Sequence, residues 1–142
     1  MNDMLIEQFA TITIPDGVDI QMPPNCFTEM QGTVLEYVPK TSLTVSFPVF
    51  EKYTNPGKTM QGGHILAAFD NVFGPLSFLT AQVPTTTINL QASFQRPIFP
   101  GDTITITATI KSCGRRLLHM YAEAYNGNNK LVATSSTDYM VV

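Results

Sequence analysis

Hydrophobic positions change their period once along this chain. From Gly62 to Thr80, in "GGHILAAFDNVFGPLSFLT", apolar residues lie on most sides of a helical cylinder, which predicts one helix buried nearly all round. Beyond it they alternate. In "TTINLQASFQ", Ile88, Leu90, Ala92 and Phe94 share one face, and Thr87, Asn89, Gln91 and Ser93 the other. "TITITATI" (Thr103 to Ile110) alternates as cleanly, and "RRLLHMYAEAY" and "KLVATSSTDYMVV" complete the set. Such alternation predicts strands with one buried face. The connections "FPGD", "SCGR" and "NGNN" are turn chemistry, so consecutive strands are expected to be antiparallel. Upstream, "GTVLEYV" (Gly32 to Val38) and "SLTVSFPV" (Ser42 to Val49) flank "PKT" and read as a hairpin.

The first 31 residues read as an irregular extension: "MLIEQF" has the pattern of a short helix, and "PDGVDIQMPPN" that of a loop. Two strands, one helix and four further strands, with no repeat and no linker, imply one α+β domain over residues 1–142. A curved antiparallel sheet wrapped around one long central helix would bury such a helix on nearly all sides.

Composition narrows the function. Of the residues, 44% are hydrophobic and 13% charged, which suits a globular domain. A net charge of −3 offers no electrostatic footprint for nucleic acid. The start has no basic segment followed by an apolar one, so no secretory signal is expected. The apolar run Ile65 to Leu79 is interrupted by Asp70, Asn71, Gly74 and Pro75, and does not read as a membrane span. Cys26 and Cys113 alone make neither a disulfide framework nor a zinc site; with the missing signal they fit a cytoplasmic protein, and no metal is expected.

One acid stands out. Between Lys52 and Gly101, Asp70 is the only Asp or Glu, and it lies within the apolar helix. An unpartnered buried carboxylate is costly, so it is either tied down by hydrogen bonds, for instance to Asn71, or placed for chemistry as a base or nucleophile. At the predicted helix start, Gln61-Gly62-Gly63 offers backbone N–H groups without internal partners and two glycines that let a ligand approach. Those are the parts of an oxyanion hole, or simply of a flexible loop. Gly62 and Asp70 are eight residues apart, roughly 12 Å along a helix. They can serve one atom together only if a second chain supplies one of them, as a twofold dimer would.

"NPGKTMQGGHILAAFDNVFG" followed by "TTTINLQASFQRPIFPGDTITITATI" resembles the hotdog-fold thioesterases, especially the phenylacetic-acid-degradation branch. The likeness runs from about Asn55 to Val142. It implies a hotdog fold and an acyl-CoA substrate, with no cofactor beyond the coenzyme A of that substrate. Asp70 falls on the catalytic carboxylate, and Gly62 on the glycine whose N–H polarises the thioester carbonyl, with Gly63 beside it for binding. Asn55 falls on the polar loop residue that helps place carbonyl or water, and Thr87 on the hydroxyl that holds the attacking water. The resemblance also implies a side-by-side homodimer with a continuous sheet, often paired into a tetramer, with sites at the dimer interface.

Two departures matter. Gln61 stands where the family usually has His; it can donate a hydrogen bond but carries no proton at neutral pH. Gly74-Pro75 interrupts the helix, which is expected to bend or end early there. Arg96 is the first candidate among Arg96, Lys111, Arg115 and Arg116 for binding nucleotide phosphates. Tyr37, Phe47, Phe50 and Met60 are expected in the core or in an acyl pocket. His64 lies about 120° around the helix from Asp70, so no dyad is expected, and His119 reads as a half-buried strand residue. Two rival functions remain: a non-catalytic acyl-CoA-binding protein, and a hotdog hydratase or dehydratase, for which no His-centred motif is found.

Overall fold

A computed structural model describes residues 1–142. The chain begins with α1 (Asp3–Phe9) and α2 (Asn25–Glu29), joined by a long loop. β1 (Thr33–Val38) and β2 (Ser42–Pro48) form the expected hairpin; a 3-10 turn, Glu51–Tyr53, then leads to α3 (Gly62–Ala81). β3 (Thr85–Phe94), β4 (Thr103–Cys113), β5 (Leu117–Tyr125) and β6 (Leu131–Val141) follow. The six strands make one antiparallel sheet in the order β1-β2-β4-β5-β6-β3, curved around α3. This is the hotdog arrangement.

The alternation in the sequence becomes the inner face of the sheet. Leu43, Val45 and Phe47 of β2, Ile104, Ile106 and Ala108 of β4, and Leu118, Met120 and Ala122 of β5 are all fully buried. Against them α3 sets Phe69, Val72, Phe73 and Leu76, equally buried. α1 adds Leu5 and Phe9 to the same core. The short helix α2 is missing from the sequence reading, because five residues give too little periodicity to detect. It presses Phe27 into the core beneath Gly32; a Cβ on Gly32 would stand 2.7 Å from the Phe27 ring and 2.8 Å from that of Phe47.

Pro75 does not end α3, which runs on to Ala81 and closes on Gln82 in the left-handed conformation (φ 62°), its N–H bonded to the Phe78 carbonyl. Of the two outcomes expected at Gly74-Pro75, the early end does not occur, and the helix covers the span Gly62 to Thr80 that its apolar pattern predicts. Gly74 in front of the proline relieves the clash that a Cβ there would add, and Ser77 Oγ donates to the Gly74 carbonyl at 2.7 Å. Packing of the flanking residues Phe73 and Leu76 holds the rest of the turn.

β3 departs from clean alternation. Thr87 pairs with Tyr139 and Asn89 with Asp138, so Ile88 is an extra residue in a β-bulge. The bulge turns Ile88 outward, where it is 49% exposed, and directs Thr87 inward toward α3. The sequence pattern had put Ile88 on the buried face and Thr87 opposite; one inserted residue reverses both.

Candidate active site

The carboxylate of Asp70 projects from the middle of α3 toward the β3–β6 pair. Thr87 Oγ1 donates to Asp70 Oδ1 at 3.0 Å. The hydroxyl of Tyr139, the residue opposite Thr87 in the ladder, donates to the same Oδ1. Oδ2 accepts no hydrogen bond from the protein, yet the only buried side-chain polar atom lacking a partner is Thr80 Oγ1. Asp70 Oδ2 is therefore open to the adjoining cavity. That cavity, about 310 Å³, is walled by Phe78 and Pro75 of α3 and by Ile20, Met22 and Cys26 of the N-terminal segment.

Burial, followed by the charge of Asp70 and the hydrogen bond to it, pushes the Tyr139 phenol far above its ordinary range. The hydroxyl keeps its proton and remains a donor. Tyr139 is absent from the sequence-based site. The signal was present in the strand period, which puts Tyr139 on the inward face of β6, but nothing in one sequence aligns β6 with β3. Asn71, the partner expected if Asp70 were merely tied down, binds elsewhere: its Oδ1 accepts from Cys26 Sγ at 3.1 Å, and its Nδ2 points at Met30 Sδ at 3.2 Å.

Gly62 opens α3, and neither its N–H nor that of Gly63 donates to any acceptor in the chain; the first helical bonds are from His64 and Ile65 to the Gln61 carbonyl. Two aligned free donors at the positive end of a helix suit an oxygen that gains negative charge. Gly62 lines a second cavity of about 310 Å³ with Asn55, Phe94 and Arg96. A Cβ on Gly62 would stand 3.2 Å from the Phe94 ring, so the glycine keeps that approach open. Arg96 spends one guanidinium N–H on the Leu131 carbonyl at 2.7 Å and is otherwise exposed. Asn55 is held in the loop by Thr59, whose N–H donates to Asn55 Oδ1 at 3.2 Å. Gln61 is exposed and caps no backbone group with its side chain.

Within one chain, then, the candidate residues fall into two groups. Asp70 and Thr87 meet in one cavity; Gly62, Asn55 and Arg96 line the other. Of the remaining candidates, Met60 is almost fully buried but also lines the Gly62 cavity, Phe47 is core, and Tyr37 lines a small recess beside α1. Phe50 packs edge-on against Tyr53. His64 stacks on Tyr53 with ring centres 4.3 Å apart and does not join Asp70. Lys111, Arg115 and Arg116 are exposed around the β4–β5 turn, away from both cavities. Both cysteines are free.

The His119 side chain is 46% exposed, about half-buried, and lies on the outer face of the sheet. Its Nδ1 lies 2.7 Å from Asp138 Oδ1, and Asn89 Nδ2 donates to Asp138 Oδ2 at 2.8 Å. The Asn89 hydrogen bond first, and then that of His119, hold Asp138 below the usual carboxylate range.

The chain is similar to several known proteins. A curated candidate esterase of Thermoplasma acidophilum is 27% identical over 109 residues, covering 75% of this chain and 81% of its own. A phenylacetic acid degradation-related protein of Ralstonia eutropha, solved by crystallography, superposes with a TM-score of 0.80 over 96% of this chain and 98% of its own, at 24% identity. A Streptococcus mutans protein solved with bound acetyl CoA superposes with a TM-score of 0.75 over 90% and 97%, at 19% identity. At these identities the two superpositions establish the fold. The family profile for the thioesterase superfamily matches residues 57–133, more than half of the chain and the span that carries Gly62, Asp70, Thr87 and Arg96. On that match, over a hotdog fold, the chain belongs to the thioesterase superfamily.

Proposed function

We propose that this protein is an acyl-CoA thioesterase, with each active site assembled from two copies of the chain. The observation that carries this reading is the Asp70 carboxylate, anchored through Oδ1 and open at Oδ2 beside a cavity, in a member of the thioesterase superfamily. Asp70 serves as base toward water, or as nucleophile toward the carbonyl carbon. In either course the C–S bond breaks, the sulfur leaves as a thiolate that takes up a proton, and water supplies the oxygen of the new acid. The free N–H of Gly62 receives the charge that develops on the carbonyl oxygen. Asn55 and Gln61 assist in placing the thioester, Thr87 the water, and Gly63 and Arg96 serve binding. The S. mutans relative with acetyl CoA supports this substrate chemistry.

The free edge of β3 supports the assembly. β3 is ten residues long, pairs on one side only with β6, and exposes Ile88 and Phe94. Such an edge is a template for pairing with a second strand. Thr87 and Phe94 are seven residues apart, roughly 23 Å along a strand, so one chain cannot bring their cavities together. Antiparallel pairing of β3 with a partner's β3 sets the Thr87 end of one beside the Phe94 end of the other. The Asp70 cavity of one copy then faces the Gly62 cavity of its partner, and the eight-residue separation ceases to be an obstacle. A tetramer would be two such dimers.

Thiol release from a panel of acyl-CoAs tests the reading. Release by the wild type supports it. Binding of acyl-CoA without release would favour the non-catalytic alternative, which Gln61 in place of the usual His keeps open. The His119–Asp138 pair is the one observation that favours a hydratase, since such chemistry pairs a His with an acid. It faces outward from the sheet and lines neither cavity. His119→Ala is therefore expected to leave thiol release within about twofold of wild type, surface changes away from working groups being small.

A further inference from the structure

We propose that Tyr139 is a positioning residue for Asp70, holding one carboxylate oxygen so that the other alone meets the substrate. The inference rests on the thioesterase reading and concerns a residue outside the Gly62, Asn55, Asp70 and Thr87 set. Its basis is an asymmetry: Oδ1 accepts from both Thr87 and Tyr139, and Oδ2 from neither. A carboxylate on a rotatable side chain presents either oxygen unless one is fixed. Two donors from different strands, converging on a single oxygen, fix both the rotamer and the identity of the working oxygen.

The surroundings make Tyr139 suited to this. It is 2% exposed, near the C-terminal end of β6, directly across from Thr87. The bulge at Ile88 keeps these two residues in register with Asp70 while the rest of β3 shifts by one. Because burial and the neighbouring carboxylate hold the phenol in its protonated form, Tyr139 donates throughout the working pH range and does not act as the acid that protonates the leaving sulfur. Phe has the same ring and fits the same space, so the hydroxyl can be removed without opening the core.

The test is a double-mutant cycle on the full-length protein, with acyl-CoA hydrolysis and thermal unfolding followed for wild type, Tyr139→Phe, Asp70→Asn and the double variant. Tyr139→Phe is expected to lower kcat by about 10- to 100-fold with KM within about threefold, the loss expected when a reacting group is misplaced. In the Asp70→Asn background the same change is expected to cost nothing further, because there is no reacting oxygen left to position. A kcat for Tyr139→Phe within about twofold of wild type, beside an inactive Asp70→Asn, overturns this proposal and leaves the thioesterase reading standing. So does an equal additional loss in both backgrounds, which is what a purely structural tyrosine would give. If Asp70→Asn retains full hydrolysis, it is the parent reading that fails, and the role of Tyr139 falls with it.

Discussion

Asp70→Asn is expected to lower kcat for acyl-CoA hydrolysis by between about 10²- and 10⁴-fold, the usual contribution of a positioned base, or by more if Asp70 is the nucleophile. The substitution is nearly isosteric. The Asn carbonyl oxygen can take the place of Oδ1 and still accept from Thr87 and Tyr139. What changes is Oδ2, which becomes an amide nitrogen that can neither take a proton from water nor attack a carbonyl. Fold, oligomeric state and KM are therefore expected to persist while turnover falls. Steady-state kinetics beside a melting curve separate the two effects. A variant with wild-type kcat would show that the half-buried acid of α3 is structural.

The largest stability effect is expected at Phe73. Its side chain is fully buried in the middle of α3, stacked on Phe69 with ring centres 6.3 Å apart, and it faces the inner surface of the sheet. Phe73→Ala removes the ring from a core that lies between one helix and one curved sheet, which cannot collapse into the space without bending a strand. The expected cost is about 3–5 kcal/mol, which lowers the melting temperature by roughly 10 °C or more in a chain of this length. Calorimetry or thermal circular dichroism measures it. A shift of only about 2 °C would mean that α3 is less tightly enclosed than described.

The two results draw on different parts of the sequence, and those parts were not equally legible. The fold could be read almost completely because its signals are local. Alternation over β4, β5 and β6, turn residues between them, and an apolar helix of about twenty residues leave few ways to bury every apolar face. Asp70 was legible because an isolated acid in such a helix demands a physical reason. The failures share one cause, which is information that lies between segments. The bulge at Ile88 cannot be seen in "TTINLQASFQ", since only pairing with β6 reveals the extra residue. For the same reason the partnership of Thr87 and Tyr139 was hidden, although each residue on its own sat in a plain strand pattern. At Pro75 two local signals disagreed: the apolar pattern predicted a helix from Gly62 to Thr80, the proline a bend or an early end, and tertiary packing with a glycine in front of the proline carries the helix on.

His119 illustrates how a site can be imitated. Histidine, aspartate and asparagine converge across three strands with good hydrogen bonds, yet the group faces outward and none of the three lines a cavity. The Asp70 carboxylate accepts as many side-chain hydrogen bonds as that of Asp138, but both fall on one oxygen and the other is free beside open space. Accessible reactivity, more than the quality of the hydrogen bonding, distinguishes the two.

Asp70 of one subunit is expected to work with Gly62 of the other. The most direct measurement is thiol release by a co-refolded mixture of two inactive variants, Asp70→Asn and Gly62→Val. The valine closes the approach that Gly62 leaves open against the Phe94 ring. In a mixed dimer one site carries both lesions and the other carries none, so random assortment should restore about a quarter of wild-type activity. A mixture as inactive as its components, with mixed dimers shown to be present, would contradict the shared site.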